Sequence, residues 1–101
     1  GSNMAALKIV WSETAVQSLH QMILFYNTRN GSMTYGRSVY QRIKETLALI
    51  AIHPYMYKAT SFEDVRVFQC DHFKLFYRVT PSEILVEAVC DARQNPETFP
   101  F

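Results

Sequence analysis

The last third of the chain holds the residues whose types could do chemistry. Arg66, Lys74, Arg78, Asp91 and Arg93 each lie in an apolar run or directly after one. Basic side chains can hold a phosphate or an acidic partner and can stabilise negative charge that develops in a reaction. The same charges also have a structural interpretation, because a soluble sheet places charges on its outward face. Asp91 and Arg93 could likewise form a local ion pair worth roughly 0–1 kcal/mol.

The cysteines and histidines offer a different chemistry, which their spacing does not favour. Cys70 and Cys90, with His20, His53 and His72, show no metal-ligand spacing, so no metal site is predicted. Nothing in the sequence requires a cofactor. Both cysteines are expected to be reduced, packing thiols.

Length and composition predict one globular domain. The chain has 101 residues, of which 49% are hydrophobic and 19% are charged, so residues 4–101 are expected to form a single domain. The first three residues resemble the remnant of an expression tag. A net charge of +1 implies no general attraction to nucleic acid or to anionic membranes. Without an apolar run long enough to cross a bilayer or a secretory signal, the sequence predicts a cytoplasmic protein with no membrane partner.

Two segments before the last third have a helical period, and a short β-type run, Lys8–Trp11, precedes them. Ser12 is a plausible N-cap for the first helix, and Asn30-Gly31 predicts the turn that ends it. The second helix is expected to begin near Met33, with Ser32 or Thr34 as its cap, and to stop at Pro54. The apolar stripes that face a core are Val16, Leu19, Ile23 and Tyr26 in the first helix, and Val39, Ile43, Leu47 and Ile50 in the second.

The last three apolar runs predict a β-meander. The segment 55–64 before them shows no period, and Thr60–Asp64 is interpreted as a connecting loop. A two-residue turn at Asp71-His72 predicts three cross-strand pairs: Cys70 with Phe73, Phe68 with Leu75 and Arg66 with Tyr77. Strict alternation then sorts the side chains onto two faces. The face expected to cover the helices comprises Phe68, Cys70, Phe73, Leu75, Tyr77, Val79, Ile84, Val86, Ala88 and Cys90.

The opposite face of the sheet is predicted to be a polar and aromatic surface for a partner. It comprises Gln69, Lys74, Phe76, Arg78, Glu87 and Asp91, mixed with Val67, Leu85 and Val89. The predicted fold class is therefore α+β in the order β-α-α-β-β-β, with a helix hairpin packed on one face of a mainly antiparallel sheet.

With this element order, the chain resembles the RelE/ParE superfamily, the small toxins of bacterial type II toxin–antitoxin systems. The resemblance spans nearly all of the chain. The segments that carry it are Leu19–Tyr26, Asn27-Thr-Arg-Asn-Gly31, His53-Pro54, Val65-Arg-Val67, Lys74-Leu-Phe-Tyr77 and Asp91-Ala-Arg-Gln-Asn-Pro96. It implies a growth-inhibiting toxin that a cognate antitoxin holds inactive by wrapping over its sheet and helices.

Members of the superfamily either cleave mRNA on the ribosome or poison DNA gyrase. The resemblance makes Arg66, Lys74 and Arg93 the candidate catalytic residues of the first activity, and Lys74, Arg78, Asp91 and Arg93 a candidate target-binding set. Two departures count against cleavage. Phe68 stands where a second strand-two lysine would be, and Gln94-Asn-Pro-Glu97 replaces the usual basic tail; Phe99 could stack on a base but has no proton to give.

The sequence therefore favours a ParE-like toxin that binds a protein target such as DNA gyrase. Two alternatives stay open: a ribosome-dependent mRNA endonuclease, and a degenerate, non-toxic member that only binds its antitoxin. Endoribonuclease activity is compatible with the sequence, but the catalytic set that it would need is incomplete. A homodimer is compatible with all three functions.

Overall fold

The computed structural model describes residues 6–62 and 64–93. In chain order the elements are β1 Lys8–Trp11, α1 Glu13–Asn30, α2 Thr34–Ile52, β2 Lys58–Ala59, β3 Val65–Cys70, β4 Phe73–Val79 and β5 Glu83–Asp91. The predictions for the first three residues, for Gln94–Glu97 and for Phe99 lie outside the described residues.

The strands form one five-stranded sheet in the order β1-β5-β4-β3-β2. Strand β1 runs parallel to β5, and the other neighbours are antiparallel. This confirms the predicted α+β class with a mainly antiparallel sheet. It also adds one strand to the predicted order, because β2 lies just before the loop predicted at Thr60–Asp64, where the sequence shows no period. A strand of two residues has no period to read, and it exists through its pairing with β3.

Helix α1 begins and ends where the sequence predicts. The Ser12 hydroxyl accepts the Ala15 N–H at 3.0 Å, which satisfies one of the free donors of the first turn. Gly31, in the left-handed region at φ 66°, ends the helix, and a residue without Cβ adopts this conformation at no steric cost. The fully buried side of the helix is formed by Ala15, Leu19 and Tyr26.

Helix α2 packs beside α1 on the same face of the sheet. Its predicted stripe is confirmed, since Val39, Ile43, Leu47 and Ile50 are all buried. The helix ends at Ile52, and the next residue, His53, leaves helical dihedrals before Pro54. Among the described residues, neither helix is long and apolar enough to span a bilayer.

The hairpin of β3 and β4 has the predicted register. Cys70 pairs with Phe73, Phe68 with Leu75 and Arg66 with Tyr77. Asp71, the first turn residue, has φ 56°, a conformation that Asp tolerates better than most residues. Together with the stripes of both helices, the inner residues of this hairpin form the main core.

A β-bulge at Glu87 shifts the pairing of β4 with β5. Phe76 pairs with Ala88, and the next residue, Tyr77, pairs with Val86, which leaves Glu87 without an opposite residue. An extra residue reverses the alternation for everything beyond it. The prediction from strict alternation is therefore right for Ile84 and Val86 and wrong for four later residues. Val89 and Asp91 lie on the helix side of the sheet, and Ala88 and Cys90 lie on the outer side.

The outer side of the sheet also differs from the exposed surface that was predicted. Phe76, Val65 and Ala88 are buried there, and they form a second apolar cluster with partly buried Val67 and Cys90. Phe76 is therefore not available on the surface, in contrast to its predicted role.

The bulge also separates the two cysteines. Both are free, with Cys70 on the helix side and Cys90 on the outer side. Burial raises the pKa of both thiols, so both are weak nucleophiles at neutral pH.

The two helices cross closely at Gly36. Its N–H donates to the Asn27 side-chain oxygen at 3.0 Å. A Cβ at this position would lie 2.6 Å from Cγ2 of Ile23, and a β-branched side chain in a helix has almost no freedom to move away. The crossing therefore requires a residue without a side chain.

Gly36→Ala is expected to lower the free energy of unfolding by about 1–2 kcal/mol. Overpacking costs about 1–3 kcal/mol, and the better helix propensity of Ala returns up to about 1 kcal/mol. Urea unfolding followed by circular dichroism measures the change. The control is Ser38→Ala at an exposed position of the same helix, which should stay within about 0.5 kcal/mol of the wild type. Equal stability of the two variants would mean that the helices do not cross tightly.

Candidate functional site

An open cleft lies where the end of α1, the β3–β4 turn and the end of β5 meet. Its volume is about 630 Å³, and we name it the α1–β5 cleft. It combines aromatic rings, two guanidinium groups, an imidazole and a carboxylate. The lining residues are Phe25, Tyr26, Arg29, Asn30, Tyr35, His72, Asp91 and Arg93.

A hydrogen-bonded triad of Tyr26, Asp91 and Arg93 forms the floor of the cleft. The Tyr26 hydroxyl donates to Oδ2 of Asp91, and the backbone N–H of Arg93 donates to Oδ1 at 2.8 Å. The Arg93 guanidinium donates to the Tyr26 hydroxyl and lies over its ring, 5.3 Å from the centroid. The predicted Asp91–Arg93 ion pair is present at 3.9 Å. The triad ties the end of β5 to α1.

The triad fixes the protonation of its members. Burial alone would raise the pKa of Asp91, but the hydrogen bonds from Tyr26 and from the Arg93 N–H, with the Arg93 charge, bring it below its usual range. Burial and the Asp91 carboxylate raise the pKa of Tyr26. The hydrogen bond to Tyr26 raises the pKa of Arg93. At neutral pH the triad therefore holds a neutral tyrosine, a carboxylate and a guanidinium, and none of them is poised to give or take a proton.

The β3–β4 turn forms one wall of the cleft, and Asp71 holds it in place. The Tyr35 hydroxyl donates to the Asp71 carboxylate at 2.5 Å. Arg42 lies 3.9 Å and His72 3.7 Å from the same carboxylate. The His72 ring also packs near Tyr26, with 5.8 Å between the centroids. Burial, followed by the hydrogen bond to Asp71, raises the pKa of Tyr35. Two residues of α2, Tyr35 and Arg42, thus hold this wall in place.

Arg29 and Phe25 form the opposite rim. The Arg29 guanidinium lies over the Phe25 ring, 5.4 Å from its centroid, and Phe25 is 48% exposed. Arg29 makes no hydrogen bond or ion pair with the residues in 6–62 and 64–93. This guanidinium is oriented by an aromatic face, and no described residue accepts a hydrogen bond from it.

The sequence-predicted cations lie in three separate places. Arg66 donates to the carbonyl of Tyr57 at 2.7 Å and stacks over Tyr55 at 4.9 Å, near the β2 edge. Lys74 lies on the outer side of the sheet, opposite Cys90. Arg93 lies in the cleft on the helix side. The structure therefore does not bring the three candidate catalytic residues together.

The separation between Arg66 and the end of β5 can be gauged from the strand register. Arg66 lies four residues before Cys70, which is paired through Phe73 to Asp91. Four residues along a strand span about 13 Å, and two strand spacings span about 10 Å. The backbones of Arg66 and Asp91 are thus about 16 Å apart, and both arginine side chains are held by other groups.

The candidate target-binding set is divided in the same way. Lys74 and Arg78 share the outer side, where Arg78 donates to the Glu87 carboxylate at 2.9 Å. Asp91 and Arg93 lie in the α1–β5 cleft. The expectation that Asp91 faces outward with Lys74 is wrong, because the bulge at Glu87 turns it toward α1.

Sequence reasoning missed most of the cleft. It assigned Tyr26 to the core stripe and His72 to a turn, and both statements are correct, but neither predicts that the two rings line one cavity with Arg29. The signal that could have revealed the cleft is the position of Tyr26 near the end of α1. A tyrosine at the end of a buried stripe can place its ring in the core and its hydroxyl at the end of a neighbouring strand. Among the described residues, no group of three His, Cys, Asp or Glu side chains could hold a metal ion.

Asp91→Asn is expected to lower the free energy of unfolding by about 1–3 kcal/mol at pH 7, because it weakens a nearly buried, charge-assisted hydrogen-bond group. The pKa of Asp91 is lower in the folded state than in the unfolded state. The stabilisation is therefore present above about pH 4 and is lost as the pH falls through the folded-state pKa. Urea unfolding across this range measures it.

A double-mutant cycle with Tyr26→Phe separates the triad from simple loss of a charge. The double variant should lose less stability than the sum of the single variants, because both remove the same interaction. A loss for Asp91→Asn that is the same at pH 7 and in acid would show that its carboxylate contributes nothing specific.

Comparison with known proteins identifies the family. The model of the ParE toxin of type II toxin-antitoxin system, parDE, matches residues 9–96. No curated protein sequence matches the chain. Among solved structures, the chain is similar to the chromosomal ParDE toxin–antitoxin system from P. aeruginosa, with a TM-score of 0.71 and 17% identity, covering 85% of this chain and 96% of that one.

Two further solved structures share the fold. A mutant of the E. coli toxin RelE in the free state has a TM-score of 0.67 and 16% identity, with 91% of this chain and 90% of that chain covered. The E. coli DinJ-YafQ toxin-antitoxin complex has a TM-score of 0.53 and 11% identity, with 90% and 98% covered. At these identities the structural likeness shows the fold alone. The family match, which spans most of the sequence, shows that the chain belongs to the ParE toxin family of type II toxin–antitoxin systems.

Proposed function

We propose that this toxin acts by binding a protein target, DNA gyrase, and that a cognate antitoxin neutralises it. The family match supports the toxin function. The observation that carries the choice of target is the scatter of the cations, because Arg66, Lys74 and Arg93 occupy three different surroundings.

Cleavage of RNA through its 2′-hydroxyl needs a base, an acid and cations within hydrogen-bond reach of one phosphate. Here Arg66 is held by a backbone carbonyl and an aromatic ring. Arg93 is held by Tyr26 and Asp91. Lys74 projects from the other side of the sheet. This arrangement favours recognition of a macromolecule over phosphate chemistry.

The charge balance supports the same conclusion. A protein that docks on RNA gains affinity by releasing counterions, and this gain grows with the number of phosphates that it neutralises. The chain has 10 Lys and Arg against 9 Asp and Glu. Its cations are largely compensated, so binding to a protein surface is the better match.

The helix hairpin offers a surface for the antitoxin. Six large hydrophobic side chains of α1, α2 and the turn between them are at least 45% exposed: Leu24, Phe25, Met33, Tyr40, Leu49 and Ile52. Exposed apolar groups that gather on one part of a monomer often mark a protein interface. An antitoxin that covers this hairpin would bury them.

The purified protein is expected to block DNA supercoiling by gyrase, or to trap cleaved DNA, near stoichiometric amounts. In a purified translation reaction it should leave the message intact, because its cations do not converge on one phosphate. Gel assays of plasmid topology and of message length measure the two outcomes. Normal supercoiling together with codon-spaced cuts would replace the proposal with the endonuclease alternative.

Lys74→Glu is expected to weaken gyrase inhibition about tenfold, since reversing one charge at a complementary contact costs about 1.4 kcal/mol or more. The matched control is Lys58→Glu at the exposed edge strand β2, which should inhibit like the wild type. Unfolding curves of both variants should overlay that of the wild type. Equal inhibition by the two variants would exclude the outer side of the sheet as the target contact.

Expression of the protein without antitoxin is expected to arrest growth, and co-expression of the small protein encoded by the neighbouring reading frame should restore it. Colony counts with and without induction measure both effects. If growth is unimpaired and gyrase is unaffected, the chain is a degenerate member that binds its antitoxin without being toxic.

A further inference from the structure

The α1–β5 cleft presents two guanidinium groups that are already oriented before a ligand arrives. Arg93 is stacked on Tyr26 and hydrogen-bonded to its hydroxyl, and its side chain is still 56% exposed. Arg29 is stacked on Phe25. A stacked guanidinium has lost much of its rotamer freedom, so it forms further hydrogen bonds at a smaller entropic cost.

Asp91 is the one acidic residue among the described residues that line the cleft, and it does not cancel these charges. Asp71, in the wall behind them, accepts a hydrogen bond from Tyr35 and pairs with Arg42. Both oxygens of Asp91 accept hydrogen bonds from within the triad, and its side chain is 9% exposed. The Asp91 charge is thus screened from the opening. Arg29 and Arg93 together leave an excess of positive charge facing the cleft.

The guanidinium groups and the apolar rim of the cleft together suit a carboxylate that is carried by a peptide. A guanidinium fork matches the two oxygens of a carboxylate. The rim carries exposed apolar surface, with Phe25 48% exposed, which suits an apolar residue beside the acidic one. This combination of a charged centre and an aromatic or apolar border is typical of protein interfaces.

We propose that the α1–β5 cleft binds a glutamate or aspartate side chain from an acidic, apolar-flanked segment of the cognate antitoxin, held between Arg29 and Arg93. The proposal rests on the proposed function, because it assumes that an antitoxin binds this chain. Nucleic acid is the less suitable occupant. Two cations release few counterions and so add little affinity, and a phosphate group would make no favourable contact with the apolar rim.

The role of Tyr26 in this site is to position Arg93. Its ring supports the guanidinium from below, and its hydroxyl accepts one of the guanidinium N–H groups. The carboxylate of Asp91 fixes the hydroxyl in turn. The antitoxin would therefore meet a site that needs little rearrangement.

The test compares binding of the purified antitoxin to three toxin variants by isothermal titration calorimetry. Arg29→Glu is expected to weaken binding at least tenfold and to reduce the dependence of affinity on salt concentration. Arg93→Lys keeps the charge but loses the fork, and it should weaken binding several-fold. The matched control Lys58→Glu, a charge reversal on the exposed edge strand β2, should bind like the wild type.

A charge swap identifies the partner residue. Each acidic residue in the toxin-binding half of the antitoxin is changed to lysine, and one of these variants should bind Arg29→Glu at least tenfold better than the wild-type antitoxin does. Unfolding curves check that Arg29→Glu remains folded, and Arg29→Ala gives a milder second variant that should also weaken binding.

The possible failures are distinguishable. If the wild-type toxin does not bind the antitoxin at all, the proposed function fails and this inference fails with it. If the wild type binds but Arg29→Glu, Arg29→Ala and Arg93→Lys all match it within twofold, the cleft is not the docking site while the proposed function stands. If a single-stranded RNA oligonucleotide displaces the antitoxin from the wild type and does not bind Arg29→Glu, the cleft is a nucleic-acid site and the proposal is overturned.

Discussion

The β-bulge at Glu87 is the constraint on which the arrangement of this protein depends. One extra residue in β5 reverses the faces of every later residue in the strand. Without it, Asp91 would point away from the helices and could not meet Tyr26. The bulge is held from two sides. The Ser12 hydroxyl, outside the strand pair, donates to the Glu87 carbonyl at 2.9 Å, and Arg78 of β4 pairs with the Glu87 carboxylate.

Helix α1 is thereby fastened to β5 near both of its ends. At its start, Ser12 caps the helix and donates its N–H to the Val86 carbonyl at 2.9 Å. At its last turns, Tyr26 is bonded to Asp91 and Arg93. Because these contacts join the first and last thirds of the chain, the helix and the final strand form one unit. The α1–β5 cleft lies at the end of that unit, where it is supported by packed elements.

The same geometry underlies our proposal that the cations serve recognition rather than catalysis. A catalytic site gains from cations that point at one phosphate, whereas an interface gains from oriented charges spread over a surface. Here each arginine of the predicted set is fixed by a protein partner: Arg66 by Tyr57, Arg78 by Glu87 and Arg93 by Asp91 and Tyr26. Such pre-orientation limits their convergence and favours specific contacts with another protein.

Much of the fold could be predicted from the sequence because its signals are local. The stripe of α2, the cap at Ser12, the stop at Pro54 and the register set by the Asp71-His72 turn all depend on residues that are neighbours along the chain. The assignment of Tyr77 to the core follows from the same alternation, and it is fully buried.

The sequence by itself determined the fold class, both helices, the hairpin register and the resemblance to a toxin family. Tertiary structure alone decided the pairing of β2, the side of the sheet on which Val89, Cys90 and Asp91 lie, and the cleft that joins Arg29 to Arg93. The physical reason is that alternation is a local rule, whereas a bulge is stabilised by groups far away along the chain. The bond from Ser12 to Glu87 spans 75 residues, and no period within a single strand reveals it.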